Sequence, residues 1–190
     1  MAAPPAPPAS REDAVRVAPV TAALAPAVRA LRADPGQYAF VGDVQANLID
    51  SEADPGSEPM AILCGGAVVG FYRIDLAPRA IDGCQYGACA ALRSVLVDRS
   101  RQGQGLGTRA LRACVADLER RHPRLRLLAL TVNCANAAAL HAYRKAGFVD
   151  SGRLYYGGRA GPQHLLLRRL GPAGVGESPA CSPATPTPPP

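Results

Sequence analysis

Residues Gln102-Gly103-Gln104-Gly105-Leu106-Gly107 follow an apolar, β-type stretch, 92–97, and open directly into an amphipathic segment. A strand, a glycine loop and a helix in that order leave several backbone N–H groups unpaired and aimed one way. Those donors, together with the positive end of the helix dipole, bind an anion, most often a phosphate. Glycine lets the backbone approach such a ligand without a Cβ in the way. Two common phosphate loops fail at named positions. A Walker loop needs a Lys-Ser/Thr pair after its last glycine, and Thr108 follows Gly107 with no lysine. A dinucleotide loop needs Gly-x-Gly-x-x-Gly, and the count from Gly103 and Gly105 reaches Thr108. It also needs an acid after the next strand, where the run 125–132 leads into Asn133. A nicotinamide dehydrogenase is thereby disfavoured.

The loop instead fits Gln/Arg-x-x-Gly-x-Gly/Ala, with Gln102, Gly105 and Gly107 at the fixed positions. Downstream, an apolar run at 127–132 is followed by Asn136, Ala139, Tyr143, Gly147 and Phe148 in the spacing Asn-x-x-Ala-x-x-x-Tyr-x-x-x-Gly-Phe. The two motifs together resemble the GNAT superfamily of acyl-CoA-dependent N-acetyltransferases. The resemblance is sharp across 92–148 and extends as an order of elements over about 14–170.

The resemblance implies acetyl-CoA as co-substrate, no metal, and direct transfer to an amine with both substrates bound. It implies that Gln102, Gly103, Gln104, Gly105, Leu106, Gly107 and Thr108 hold the pyrophosphate, chiefly through backbone N–H groups. Val95, Leu96 and Val97 would align the pantetheine arm through their backbone, as an added strand would. Asn136 would cap its helix and touch the cofactor. Tyr143, two helical turns beyond Asn136 and on the same face, would be the general acid for the departing thiolate. A base is harder to place. Many members carry Glu five residues before the Asn; this chain has Thr131 there. Proton removal is then expected to go through water or through a group elsewhere; His164 is one candidate base, since an imidazole with an ordinary pKa near roughly 6.5 suits the task. Asp75 and Asp50 are further candidates. The missing carboxylate also leaves open a CoA-binding module without catalysis. It weakens assignment to enzymes that acetylate protein N-termini.

The elements that must position these residues follow from periodicity and punctuation. A strand is expected at 14–20, and a helix from Thr21 through Val28 and Leu31, interrupted by Pro26. A second helix is expected over 38–51, with Phe40, Val44, Leu48 and Ile49 on its apolar side. Residues 60–64 and 67–75 around Gly65-Gly66 predict a hairpin. A loop at 76–87, the central strand, the glycine loop and a helix ending at His122-Pro123 come next. Strand 125–132, helix 136–146 and strands 148–154 and 164–170 complete the order β-α-α-β-β-β-α-β-α-β-β. That order predicts an α/β GNAT fold: a single mixed, mostly antiparallel sheet with helices on both faces. The glycine-rich connection 155–164 would lie beside the acceptor.

The chain of 190 residues, 48% hydrophobic, suits one domain over 14–170. The N-terminal tail 1–13 opens on Ala and Pro, and the tail 171–190 is Pro-rich; eleven of the 19 prolines lie in 1–10 and 171–190, so both tails are expected to be disordered. No apolar run is long enough for a membrane span, and no secretory or transit signal is evident. A cytoplasmic protein with thiols is expected from six scattered cysteines; with no C-x-x-C pair and three histidines, no metal site is expected. Residues 1–87 carry six Arg/Lys and ten Asp/Glu, a net of −4, while 88–170 carry fifteen and four, a net of +11. The basic half holds the anion loop, and the acidic half is suited to draw in a cationic amine. Aromatic residues are 5%, with no Trp and no dense basic block, so nucleic acid is not an expected partner. A small-molecule amine is the expected acceptor, with a peptide or protein amine as the alternative; family habit allows a homodimer.

Overall fold

The computed structural model describes residues 14–78, 88–157 and 160–171. The expectations for the tails 1–13 and 172–190, for most of the loop 76–87 and for Cys84 and Cys181 lie outside the described residues. Seven strands form one sheet: β1 (Val15–Pro19), β2 (Ser57–Cys64), β3 (Ala67–Asp75), β4 (Cys89–Val97), β5 (Leu127–Asn133), β6 (Val149–Tyr155) and β7 (Gln163–Arg169). Their order across the sheet is β1-β2-β3-β4-β5-β7-β6. Every neighbouring pair is antiparallel except β4 and β5, which are parallel. The helices are α1 (Ala25–Arg29), α2 (Tyr38–Val41), α3 (Val44–Ala53), α4 (Leu106–Arg121) and α5 (Ala137–Lys145).

Strand alternation divides the apolar side chains into two cores. On β2, Met60, Ile62 and Cys64 face the core that includes Leu111, Cys114, Val115 and Leu118 of α4 and Leu140 of α5. Ala61 and Leu63 face the other core, with Val28 of α1 and Val44 and Leu48 of α3. Period-two alternation thus seats helices on both faces, as the element order requires.

Two helix expectations are corrected. Pro26 does not interrupt α1; it stands in the first turn, where a missing N–H is harmless, and Thr21 instead accepts from Leu24 and Ala25 in the turn before it. The expected helix over 38–51 is two helices. Gly42 adopts a left-handed φ of 72°, and Asp43 restarts the helix by accepting from the Ala46 N–H at 2.8 Å. Phe40 and Ile49 consequently remain partly exposed, while Val44 and Leu48 are buried.

Strand β4 contains a bulge that sets up the site. Arg73 of β3 pairs with Arg93 and Phe71 pairs with Leu96, so two residue steps on β3 oppose three on β4. Ser94 takes up the extra residue at φ 51°. The insertion inverts the facing of the rest of the strand. Ala90 and Leu92 face the α4 core, yet Leu96 faces the α1/α3 core, and Val95 and Val97 return to the α4 side.

Cys89 is disulfide-bonded, contrary to the expectation of thiols throughout, whereas Cys64, Cys114 and Cys134 carry thiols. Among the described residues, no helix is long and apolar enough to cross a membrane. No group of three or more His, Cys, Asp or Glu is placed to hold a metal among them.

Candidate active site

Strands β4 and β5 are paired at only three positions, ending at Ala91 opposite Ala129. Beyond that point they diverge, and the edge of β4 facing β5 has no strand partner. Two cavities occupy the split. The first, about 350 Å³, lies between the end of β4, the glycine loop, the start of α4 and α5. The second, about 330 Å³, lies between the β4 bulge, the end of β5, α2 and the start of β7. Val41, Val95, Asn136, Ala139 and Tyr143 line both, so the two share a wall.

The first cavity is built to take an anion. Gly105 adopts a left-handed φ of 69° as the residue before α4, and no side chain caps the helix. The N–H groups of Leu106, Gly107 and Thr108 therefore lack partners within the helix. All three residues line the cavity, with Gly103 and Gly105. A Cβ added at Gly103, Gly105 or Gly107 would meet nothing within 4 Å, so open space lies over the loop. Arg101 and His141 add basic groups, and no carboxylate lines this cavity among the described residues. Gln102 shapes the loop instead of offering its side chain. Its Nε2 donates to the Val97 carbonyl at 2.9 Å, and its amide pairs reciprocally with that of Gln37. Gln104 is exposed and does not line the cavity.

Val95 and Val97 line this cavity, because the bulge turns them toward it. The Leu96 side chain does not; it is 1% exposed in the opposite core, so only its backbone stays with the β4 edge.

Helix α5 carries Asn136 and Tyr143. The Asn136 side chain accepts from the Ala139 N–H at 3.1 Å, a helix cap that leaves the residue on the shared wall. Tyr143 is locked by the way α5 ends. The Phe148 N–H donates to the Tyr143 carbonyl and the Gly147 N–H to the Arg144 carbonyl, which together form a Schellman termination. The motif's apolar contact is the edge-to-face pair of Tyr143 and Phe148, with ring centroids 5.7 Å apart. The spacing Tyr-x-x-x-Gly-Phe is thus a device for holding the tyrosine ring. Burial, with a smaller push from Cys114, raises the Tyr143 hydroxyl above its ordinary pKa, so it keeps its proton. Gly147 has φ 85°, and a Cβ there would collide with Arg168 Nη1, which donates to the Ala146 carbonyl at 2.8 Å. Gly147→Ala is expected to lower stability by about 1–3 kcal/mol, read from urea unfolding.

The second cavity is polar. Arg93, Ser94, Thr131, Asn133, Tyr155 and Gln163 line it, and among the described residues it has no Asp, Glu or His. Thr131 thus stands in the wall where the resemblance would place a carboxylate. Arg93 is offset by Asp75, 3.6 Å from its Nε. Asn133 shapes the far end, donating to the Ala160 carbonyl at 2.6 Å and accepting from the Ala135 N–H at 2.8 Å. Tyr155, Ala160 and Gln163 bring the described part of the 155–164 connection to the cavity; residues 158–159 lie outside the described residues.

His164, the candidate base, is not among the residues that line either cavity. In an extended strand, Gln163 faces the second cavity and its neighbour turns away. The His164 Nδ1 lies 3.0 Å from Asp150 Oδ2, and Asp150 also faces Arg144 at 3.8 Å. Asp50 is 70% exposed and pairs with Arg73, and Asp75 is engaged by Arg93 and by the Ala77 N–H. Neither lines a cavity. Sequence reasoning missed Gln37, Val41, Arg101 and His141 in the first cavity and Phe40 and Arg93 in the second. Arg101 and His141 stood within or beside the two motifs, where Arg101 could have been found by its charge; Gln37 offered no local signal.

The model of the family described as "Acetyltransferase (GNAT) family" matches residues 25–148. No curated protein matches the sequence significantly. Among solved structures, the chain is similar to the aminoglycoside acetyltransferase AAC(6')-Ib in complex with paromomycin and acetyl-CoA: TM-score 0.69 at 20% identity, over 83% of this chain and 94% of that one. It is similar to spermidine N-acetyltransferase from Vibrio cholerae in complex with CoA and spermine: TM-score 0.63 at 13% identity, over 83% and 96%. It is also similar to a GNAT-family acetyltransferase from Streptococcus pneumoniae: TM-score 0.57 at 19% identity, over 83% and 99%. At these identities the likeness concerns the fold.

Proposed function

The chain belongs to the GNAT family of acetyltransferases, and we propose that it transfers an acetyl group from acetyl-CoA to the primary amine of a small cationic molecule, with both substrates bound at once. The observation that carries the proposal is the shared wall: Tyr143 and Asn136 line both cavities where β4 and β5 part. The first cavity suits the cofactor, because its glycine loop has open space, N–H groups without partners in the helix and, among the described residues, no opposing carboxylate. The second suits the acceptor.

Acetyl-CoA supplies the activated thioester. The chain's own groups do the rest. The N–H groups of Leu106, Gly107 and Thr108 hold the diphosphate, and the unpaired edge of β4 aligns the arm. A β4 N–H beside the bulge donates to the oxygen that gains negative charge. Tyr143, kept protonated by burial, donates its proton to the leaving thiolate. Among the described residues, no group lining the second cavity takes a proton at neutral pH, so the amine sheds its own to water. The rise of kcat/KM with pH is then expected to follow the pKa of the acceptor amine. Comparing acceptors of different amine pKa tests this: an acid limb fixed near pH 6–7 whatever the acceptor would require an enzyme base.

The cationic acceptor is supported by the net −4 charge of residues 1–87 and by the aminoglycoside and polyamine bound to the similar structures. The lining of the second cavity, which includes Arg93 and, among the described residues, no carboxylate, favours a second reading, a peptide α-amine with no further positive charge. Thiol release from acetyl-CoA, measured with polyamines, aminoglycosides, amino acids and short peptides, separates the two. Turnover with polyamines or aminoglycosides is expected. Turnover with peptides alone would overturn the cationic acceptor, and coenzyme A binding without turnover of any amine would leave a binding module.

A further inference from the structure

One side chain ties the roof of the second cavity to its floor. Asn47, on α3, lines neither cavity, yet it makes four hydrogen bonds that use both ends of its amide. Its Nδ2 donates to the Val41 carbonyl at 3.2 Å and to the Asp43 carbonyl at 2.9 Å. Its Oδ1 accepts from the Ser94 hydroxyl at 2.7 Å and from Arg73 Nη1 at 3.2 Å. The orientation of the amide is fixed by these partners, since the reverse would set its oxygen against two carbonyl oxygens. Arg73 is itself held by Ser57 Oγ, at 3.1 and 3.2 Å, and faces Asp50 at 3.7 Å.

The two ends matter differently. Val41 closes α2 and lines both cavities. Ser94 is the left-handed residue of the β4 bulge and lines the second cavity. Its bulge decides that Val95 and Val97 face the first cavity. A serine at φ 51° persists only where its surroundings hold it, and the 2.7 Å bond to Asn47 is the hydrogen bond that its hydroxyl makes. We propose that Asn47 is a positioning residue for acetyl transfer: one amide bonds the Val41 carbonyl in the roof and the Ser94 hydroxyl in the floor, and so fixes the slot where amine and thioester meet. This rests on reading the second cavity as the acceptor's. Asn47 touches neither substrate; it acts through Val41 and Ser94. The pyrophosphate loop is braced separately, by Gln102 on Val97 and Gln37.

Three variants of the full chain test this: Asn47→Ala, Asn47→Asp and Ser94→Ala. Coenzyme A affinity is read by calorimetry, turnover with spermidine and with kanamycin as probe amines, and amide hydrogen exchange by mass spectrometry. Asn47→Ala is expected to lower kcat/KM for the amine about tenfold to a hundredfold, the effect of a small misplacement of reacting groups, while coenzyme A affinity changes less than about threefold. Exchange should quicken in both 38–43 and 92–98. Asn47→Asp keeps the acceptor for Ser94 and Arg73 but loses both donors, so exchange should quicken in 38–43 alone. Adding Ser94→Ala to Asn47→Ala should cost less than it does alone, because the two act through one bond. The proposal is overturned if Asn47→Ala keeps kcat/KM within twofold, or if exchange is unchanged in both segments. Should Asn47→Ala not fold, the exchange pattern of Asn47→Asp decides. If the wild-type protein acetylates neither probe amine, the acceptor assignment is what fails, and the exchange measurements still decide the role of Asn47.

Discussion

Replacing Gly107 with leucine is expected to weaken coenzyme A binding about a hundredfold or more while leaving the protein folded. Gly107 is the second residue of α4, and its φ is not in the left-handed range, so a side chain strains nothing. The new Cβ meets no atom within 4 Å, so the core is not overpacked either. Leucine is the better helix former by about 0.8 kcal/mol, so stability should hold or rise. What the side chain fills is the space over three unpaired N–H groups, where the diphosphate is proposed to sit. A hundredfold loss corresponds to about 2.7 kcal/mol, a modest fraction of what several charge-assisted hydrogen bonds supply. The position separates binding from folding as Gly105 cannot, because Gly105 at φ 69° adds backbone strain to any intrusion. Calorimetry gives the affinity and urea unfolding the stability. An unchanged affinity in a stable Gly107→Leu protein would mean that the anion cradle is not where the cofactor binds.

The loop was legible in the sequence because everything that makes it is local. An apolar run, glycines at fixed intervals and an amphipathic repeat lie next to one another, and α4 buries Leu106, Ala110, Leu111, Cys114, Val115 and Leu118 on one face. The Gly65-Gly66 hairpin and the Asn136 cap were legible for the same reason. Three features were not, and each depends on partners far along the chain. The β4 bulge cannot be read from 92–97, whose plain alternation would set Leu92 and Leu96 on one face; only the register against β3 shows the extra residue. Which of Gln163 and His164 has the cavity face is set by the register of β7 against β5, and Gln163 has it. Asn47 looks like one polar residue in a helix, and nothing near it in sequence announces Ser94 or Arg73 as partners. The split at Gly42-Asp43 is different. Both residues suit a helix stop and restart, and the apolar spacing of Phe40, Val44 and Leu48 masked the signal.

Tyr143→Phe is expected to lower kcat about a hundredfold to a thousandfold, within the range that a positioned general acid contributes, with little change in coenzyme A affinity. The substitution removes one oxygen and keeps the ring. The edge-to-face contact with Phe148 and the backbone bonds that end α5 do not involve the hydroxyl, so the fold should be unaffected. The pH dependence gives an independent check, and its sign comes from the raised pKa of Tyr143. An acid must be protonated to act, and burial keeps this one protonated beyond the ordinary tyrosine pKa of about 10. Deprotonation of Tyr143 should therefore cause no fall in the wild-type rate with saturating substrates below about pH 10. The phenylalanine variant should keep the shape of that profile at a lower level, because the acid limb belongs to the acceptor amine. A better leaving thiolate needs the proton less, so the variant should suffer less with an acyl donor whose thiol has a lower pKa than coenzyme A. Equal losses for both donors would move Tyr143 from proton donor to part of the cavity wall, and an unchanged kcat would remove it from the chemistry.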